Sequence, residues 1–174
     1  MLDNNEHPKP RLAAIFSSRS DEWETPQELF DALDREFNFT IDVCATDTNA
    51  KCSNYYSPVE DSLSQVWDGV CWCNPPYGRQ IRKWLKKAYD AAKFGATVVL
   101  LVPSRTDTAW WWDYARYGEI RFLRGRLKFG HYRKNGKQKT NGATFPSAIV
   151  IFKPDVKERD SGCFHWDEWR KDAA

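Results

Sequence analysis

The sequence has no long hydrophobic segment. Its most continuous apolar run is residues 96–102, far shorter than the run of about 18 residues that a membrane-spanning helix needs. Its first residues lack the basic and then apolar layout of a secretory signal. We therefore predict a soluble, cytoplasmic protein without a membrane partner.

Cysteine and histidine are scarce, with 5 Cys and 3 His. An odd number of cysteines, in a chain long enough to form a hydrophobic core, argues against a disulfide framework. No matching Cys or His pair follows Cys44 and Cys52, as a zinc site would require. Cys71 and Cys73 alternate in a predicted strand, so both sulfurs face one side, where free cysteine commonly acts as a small hydrophobic residue. We expect no bound metal.

The composition is otherwise that of a globular protein. Of 174 residues, 41% are hydrophobic and 29% are charged, which excludes a chain disordered as a whole. Residues 1–70 carry 5 Lys and Arg against 14 Asp and Glu, whereas residues 71–174 carry 21 against 10. This polarity favours a polyanionic partner for the C-terminal half, with a merely solvated basic face as the alternative. The length predicts one domain at 21–154, between a flexible N-terminal arm (1–20) and a charged C-terminal tail (155–174).

Helical and strand patterns alternate along the chain. Strands are predicted at 39–45, 69–73, 96–102, 119–129 and 145–153, and helices at 79–94 and 107–117. A first helix is predicted to follow Thr25, a good N-cap, with Pro26 at its first position and Glu28 completing a capping box. The alternation indicates an α/β domain around a mostly parallel sheet, with an antiparallel pair formed by the last two strands.

The tetrapeptide Asn74-Pro75-Pro76-Tyr77 directly follows a predicted strand. Consecutive prolines cannot continue a central strand, so the tetrapeptide lies at a carboxyl end of the sheet, where open α/β sheets bind ligands. The prolines make the Asn74 amide oxygen and the Pro75 carbonyl a rigid pair of acceptors, and Tyr77 offers a flat face beside them. This arrangement suits a planar –NH2 group, such as the exocyclic amine of a base, and favours the form of the amine that attacks an electrophile. A plain turn is the alternative.

An ordered set of motifs makes the sequence recognisable. Asn74-Pro75-Pro76-Tyr77 resembles the catalytic motif of S-adenosylmethionine-dependent amino methyltransferases. The wider pattern resembles the phage-type (Dam-like) DNA N6-adenine methyltransferases, through Trp23-Glu24-Thr25-Pro26, Asp42-Val43-Cys44-Ala45, Asn49-Ala50-Lys51-Cys52, Asn74-Pro75-Pro76-Tyr77-Gly78 and Phe145-Pro146-Ser147-Ala148. The resemblance implies a single-domain, Rossmann-like methyltransferase fold, S-adenosyl-L-methionine as cofactor, and methylation of adenine N6 in duplex DNA at GATC-like sites. A phage-encoded enzyme of this kind would act in the host cytoplasm.

The resemblance also implies residue roles. The catalytic clamp would be Asn74, Pro75, Pro76 and Tyr77, with the target adenine flipped out of the duplex and stacked on Tyr77, and with its amine attacking the methyl carbon directly in line. The cofactor would lie against Trp23, Thr25, Pro26, Asp42, Cys44, Ala45 and Asp61. One departure from most such enzymes is the absence of a glycine-rich turn after the first strand, where small Cys44 and Ala45 stand instead.

A basic loop at 130–144 joins the last two predicted strands. We expect it to contact DNA phosphates and to enter a groove, with Arg121 on the preceding strand extending the basic patch. The predicted DNA-binding residues are Arg124, Arg126, Lys128, Arg133, Lys134, Lys137 and Lys139. A solvated hairpin is the alternative for the loop. Two other functions stay open: a methyltransferase acting on RNA or on a protein glutamine amide, and a DNA-binding module that has lost catalysis. We expect a monomer or weak dimer.

Overall fold

The computed structural model describes residues 23–129 and 141–156. This part of the chain contains the helices α1 (Gln27–Phe37), α2 (Ile81–Lys93) and α3 (Ala109–Asp113), with short 3-10 helices at Ser62–Ser64 and Ala115–Tyr117. Its strands are β1 (Ile41–Asp42), β2 (Val70–Cys73), β3 (Thr97–Pro103), β4 (Glu119–Phe122), β5 (Lys128–Phe129), β6 (Asn141–Gly142) and β7 (Ser147–Phe152). The α/β class is confirmed, whereas the predicted N-terminal arm and nearly all of the predicted tail lie outside the described residues.

Five strands form one mixed sheet in the order β1-β2-β3-β7-β4, and β5 pairs with β6 in a separate ribbon. The pairs β1/β2 and β2/β3 are parallel, whereas β7 is antiparallel to both β3 and β4. The expectation of a mostly parallel sheet is corrected accordingly. Two of the four strand pairs are parallel and two are antiparallel. Strands β1, β2, β3 and β4 all run in the same direction, and β7 runs in the opposite direction between β3 and β4.

Helices cover both faces of this sheet. Trp72 on β2 contacts Phe30 of α1, with ring centroids 5.7 Å apart, and Phe152 on β7 contacts Tyr89 of α2 at 5.8 Å. Val99 on β3 pairs with Trp72 on one side and with Ile151 on the other, so these three side chains lie on one face of the sheet. Phe152, the next residue after Ile151, lies on the opposite face. Since successive residues of a strand point to opposite faces, α1 and α2 lie on opposite sides of the sheet.

Strand β3 is the centre of the core. Its residues 98–103 are all buried, and it pairs with β2 on one side and with β7 on the other. This confirms the prediction of a covered central strand from the apolar run at 96–102, because a strand with helices on both faces needs apolar side chains in both directions.

Some local predictions are wrong. Helix α1 begins at Gln27 after Pro26, without a side-chain cap, so the capping box predicted for Thr25 and Glu28 does not form. The strand predicted at 119–129 is broken into β4 and β5 by a turn in which Gly125 has φ +85°, a backbone conformation that side chains disfavour. The helix predicted at 107–117 is divided into α3 and a 3-10 turn.

Candidate active site

The carboxyl ends of β1, β2, β3 and β4 meet at one edge of the sheet, because these four strands run in the same direction. The reversed strand β7 begins at the same edge. There the amide of Ser104 donates to the carbonyl of Pro146 at 2.9 Å, and the amide of Leu123 donates to the carbonyl of Ser147 at 3.1 Å. Segments from distant parts of the sequence thus converge at the edge where open α/β sheets bind ligands.

A cleft of about 610 Å³, part of it open to solvent, lies at this edge. It contains five of the seven predicted cofactor residues and three of the four residues of the predicted clamp. Its lining consists of Trp23, Glu24, Thr25, Asp42, Cys44, Ala45, Thr46, Asn49, Lys51, Pro58, Trp72, Asn74, Pro75 and Pro76.

Asp42 is the buried carboxylate of the cleft, with 2% of its surface exposed. Its Oδ1 accepts the amide N–H of Cys44 and its Oδ2 that of Lys51, each at 3.1 Å. Burial raises the pKa of Asp42 from 3.8 to about 6, against the opposing effect of these two amides and of the Lys51 charge. Asp42 therefore orders the loop that follows β1 and supplies a negative charge whose ionisation lies close to neutral pH.

Three hydrogen bonds hold the side chain of Asn74 at the end of β2. Its Nδ2 donates to the backbone carbonyl of Trp23 and to Oγ1 of Thr25, the latter at 3.0 Å. Its Oδ1 accepts the hydroxyl of Tyr77 at 2.7 Å. Both hydrogens of the amide nitrogen are thereby used, and one lone pair of the amide oxygen is left by these contacts.

Tyr77 is buried, with 4% of its surface exposed, and it does not line the cleft. Phe129 and Phe145 pack edge-to-face with its ring, at centroid distances of 6.3 and 5.6 Å, and Trp23 contacts the same two phenylalanines. Burial raises the pKa of Tyr77 well above its ordinary value of 10, so its hydroxyl stays protonated and remains a donor. In this structure the Tyr77 ring is enclosed by its aromatic neighbours, and stacking of a base on it stays a prediction.

Residues 13–166 match the model of a protein family described as DNA N-6-adenine-methyltransferase (Dam). The chain belongs to this family. The resemblance deduced from the motifs is thereby confirmed, and with it S-adenosyl-L-methionine as the cofactor and DNA as the substrate of the family.

The chain is also similar to individual proteins. The chain is 28% identical over 142 residues to the DNA N-6-adenine-methyltransferase of Haemophilus phage HP1 (strain HP1c1), and the aligned region covers 79% of this chain and 81% of the phage protein. It is 32% identical over 65 residues to the putative methyltransferase YfdM of Escherichia coli (strain K12), covering 33% of this chain and 71% of the relative. Among solved structures, it is similar to an SAM-dependent O-methyltransferase from Thermotoga maritima, with a TM-score of 0.45, 8% identity and coverage of 86% and 74% of the two chains.

The residues of the cleft fit the cofactor of the Dam family. S-adenosyl-L-methionine carries a sulfonium and an ammonium, and the cleft offers the carboxylates of Asp42 and Glu24. Trp23, Trp72 and Pro58 give it apolar walls of the kind that a nucleoside packs against. The lining of the cleft thus combines negative charge with flat apolar surface.

Two predicted cofactor residues lie outside the cleft. Pro26 lines a second, adjoining groove, and Asp61 is an exposed residue with φ +50° that begins the 3-10 helix at Ser62–Ser64. The turn that carries Asp61 is fixed from inside instead, where the hydroxyl of Ser62 donates to the carbonyl of Val43. In this structure Asp61 is therefore not brought together with the other predicted residues.

The predicted DNA-binding residues lie at the same edge as far as the structure describes them. Arg124, Arg126 and Lys128 are exposed, and the last two line the second groove, which shares Glu24, Thr25 and Lys51 with the cleft. Arg133, Lys134, Lys137 and Lys139 lie outside the described residues. Arg121 differs from this group, because Glu36 binds its guanidinium at 2.6 and 2.7 Å and Glu119 also pairs with it. Carboxylates thus neutralise Arg121, and its expected part in the basic patch is corrected.

Two further cations at this edge were not predicted as site residues. Lys51 lies between the cleft and the groove, where its Nζ bonds Oε1 of Gln27 at 2.9 Å and lies 3.8 Å from Oε1 of Glu24. Arg105 is exposed just after β3, with its guanidinium 5.8 Å from the ring centroid of Phe145. Position alone was the available signal for Arg105, since a cation directly after a central strand lies at the ligand-binding edge.

In the parts of the chain that the structure describes, no group of three His, Cys, Asp or Glu side chains is arranged to hold a metal ion. Within the same residues, no helix has the length and apolar character needed to cross a membrane.

Proposed function

We propose that this chain transfers the methyl group of S-adenosyl-L-methionine to the N6 amine of adenine in duplex DNA, at a short site of the GATC type. The observation that carries the proposal is the Asn74 amide in the cleft of a Dam-family protein, held by three hydrogen bonds. A site-specific enzyme of this kind needs a clamp for the amine, a cofactor site beside it and a cationic surface for the duplex.

Asn74 and Pro75 are the acceptors for the amine in this proposal. The free lone pair of Asn74 Oδ1 would take one N–H of the adenine amine, and the Pro75 carbonyl would take the other. Hydrogen bonds from both amine hydrogens to fixed oxygens favour the form of the amine in which the nitrogen lone pair is localised. Each such prearranged acceptor stabilises the transition state by roughly a few kcal/mol. Pro76 keeps the backbone after Pro75 rigid.

The cofactor would lie in the cleft, against Trp23, Thr25, Asp42, Cys44 and Ala45. When bound, S-adenosyl-L-methionine would supply an electrophilic methyl carbon, to which the amine nitrogen would bond in line as the carbon–sulfur bond breaks, with S-adenosylhomocysteine as the leaving group and one amine proton lost to solvent. The chain contributes the negative charge of Asp42 and the walls that exclude water. Pro26 and Asp61 have no part in this proposal, because neither lines the cleft.

The target adenine must leave the duplex to reach the clamp, since a stacked and paired base presents its amine only at the groove edge. Flipping costs a few kcal/mol, by order of magnitude, and phosphate contacts can offset that cost. In this proposal Arg124, Arg126 and Lys128 contact the backbone together with the loop cations Arg133, Lys134, Lys137 and Lys139. Arg105, exposed at the same edge, joins them.

A labelled-methyl transfer assay tests the function. The purified chain is incubated with methyl-labelled cofactor and, separately, with duplex DNA, RNA or a glutamine-containing peptide, and the nucleosides of labelled DNA are then separated and its sequence context read. The proposal predicts label in N6-methyladenine of duplex DNA at one short sequence. Label confined to RNA or peptide, or cofactor binding without transfer to any substrate, would overturn it in favour of one of the alternative functions.

A further inference from the structure

We infer that Tyr77 and Thr25 are positioning residues, which act by holding the Asn74 side chain through their hydroxyl groups. The inference rests on the proposed function, in which Asn74 receives the target amine. It gives the aromatic residue of the motif a hydrogen-bonding role, and it gives the Thr25 hydroxyl a role in addition to the contact that the side chain of Thr25 makes with the cofactor in the proposed function.

The three partners of Asn74 differ in what they can do. The Trp23 carbonyl only accepts, so it determines that the nitrogen end of the amide points towards residue 23. The hydroxyls of Thr25 and Tyr77 bind the two ends of the amide, Nδ2 at 3.0 Å and Oδ1 at 2.7 Å. The carbonyl thus sets the orientation of the amide, and the two hydroxyls limit its motion.

Burial makes these two contacts rigid. Thr25 and Tyr77 are each only 4% exposed, so water does not readily replace either hydroxyl. The Tyr77 ring is enclosed by Phe129 and Phe145, and its hydroxyl also lies 3.3 Å from the carbonyl of Leu101 on β3. A reacting group whose partners are themselves fixed by packing needs no rearrangement when substrate arrives.

Removing one hydroxyl at a time tests the inference. Tyr77→Phe keeps the ring, and Thr25→Val keeps the shape that packs against the cofactor, so each variant removes one hydrogen bond to Asn74 and little else. We expect each to lower kcat about tenfold, the effect of one lost hydrogen bond, with KM for DNA and the Kd of the cofactor changed by less than about twofold. Thr25→Ser, which restores a hydroxyl, should return kcat to within about threefold of the wild-type value.

Tyr89 offers a matched control. It is also a tyrosine with 4% exposure, but its hydroxyl has no hydrogen-bond partner among the described residues. It lies on α2, against Phe152 and away from the cleft. Tyr89→Phe removes the same atom from a similarly buried ring, and kcat should stay at the wild-type value.

The double variant Tyr77→Phe/Thr25→Val should lose less activity than the product of the two single losses, because both hydroxyls act on one side chain. Wild-type kcat in Tyr77→Phe, alongside an inactive Asn74→Ala, would overturn the inference and leave the proposed function standing. A loss of cofactor affinity as large as the loss of kcat would overturn it too, since that result indicates a merely structural role. Full activity of Asn74→Ala would instead overturn the proposed function.

Discussion

The hydroxyl oxygen of Thr25 accepts a hydrogen bond from Nδ2 of Asn74 at 3.0 Å, across 49 positions of the sequence. Thr25 precedes α1 and Asn74 follows β2, so the bond joins the beginning of the first helix to the proposed clamp. Phe30 of α1 in turn packs against Trp72 of β2, which is a wall of the cleft. The cleft, the helix and the clamp therefore form one connected structure.

Cofactor affinity should fall as the pH is lowered below about 6. Burial raises the pKa of Asp42 to about 6, so acidification neutralises the carboxylate that faces the cationic cofactor. Below this pKa the affinity should decline by up to about tenfold per pH unit, because binding then requires loss of a proton. Calorimetric titration with S-adenosyl-L-methionine between pH 5 and 8 measures the dissociation constant of the cofactor at each pH.

Two variants separate Asp42 from its neighbours. Glu24 and Lys51 face the same cleft. Asp42→Asn should bind the cofactor more weakly at pH 7.5 and with little pH dependence, whereas Glu24→Gln should keep the pH dependence of the wild type. A pH dependence that persists in Asp42→Asn would assign the titration to another group.

Binding to DNA should depend less on salt when an exposed cation of the groove is removed. Arg126→Gln and Lys128→Gln should each lower the slope of log K against log salt by about 0.9, the value for one lost phosphate contact. Arg121→Gln is the matched control, because Glu36 and Glu119 already neutralise that side chain. Fluorescence anisotropy with a labelled duplex at several salt concentrations gives the slopes, and equal slopes in all variants would exclude these cations from the interface.

The two buried tyrosines should differ in stability. Tyr77→Phe removes a hydroxyl bonded to Asn74 and should lower the free energy of unfolding by about 1 kcal/mol. Tyr89→Phe removes a buried hydroxyl with no partner in the described residues, so it should leave that free energy unchanged or raise it by up to about 1 kcal/mol. Urea denaturation followed by tryptophan fluorescence measures both. Equal losses in the two variants would show that the Tyr77 hydroxyl bond adds nothing to stability.

The sequence predicts best what local pattern determines. Every residue at 96–102 is apolar except Thr97, and β3 is the covered central strand that this pattern predicts. The ordered motifs predict the family, and most of their cofactor and clamp positions meet in one cleft. Open α/β sheets bind ligands at the carboxyl ends of their parallel strands, so the direction of the strands is enough to predict where these positions meet.

Contacts between distant residues account for what the sequence does not predict. Thr25 has the pattern of a helix cap, but its hydroxyl bonds Asn74 instead, and nothing near residue 25 indicates that partner. Tyr77 is enclosed by Phe129 and Phe145, which lie more than 50 positions further along the chain. The basic residues near Arg121 in sequence predict that it belongs to the basic patch, whereas Glu36 on α1 neutralises it in the fold.

The role of Asn74 is tested most directly by single-turnover methyl transfer at saturating cofactor, comparing Asn74→Ala with the wild type on the DNA duplex identified as substrate. The rate in Asn74→Ala should fall by at least about 100-fold, the usual effect of removing a prearranged polar partner of the reacting group. The cofactor Kd, measured by calorimetry on the same preparations, should stay within about threefold of the wild-type value, because only one of many cleft residues is changed. A rate in Asn74→Ala equal to that of the wild type would contradict the assignment of Asn74 as the acceptor for the target amine.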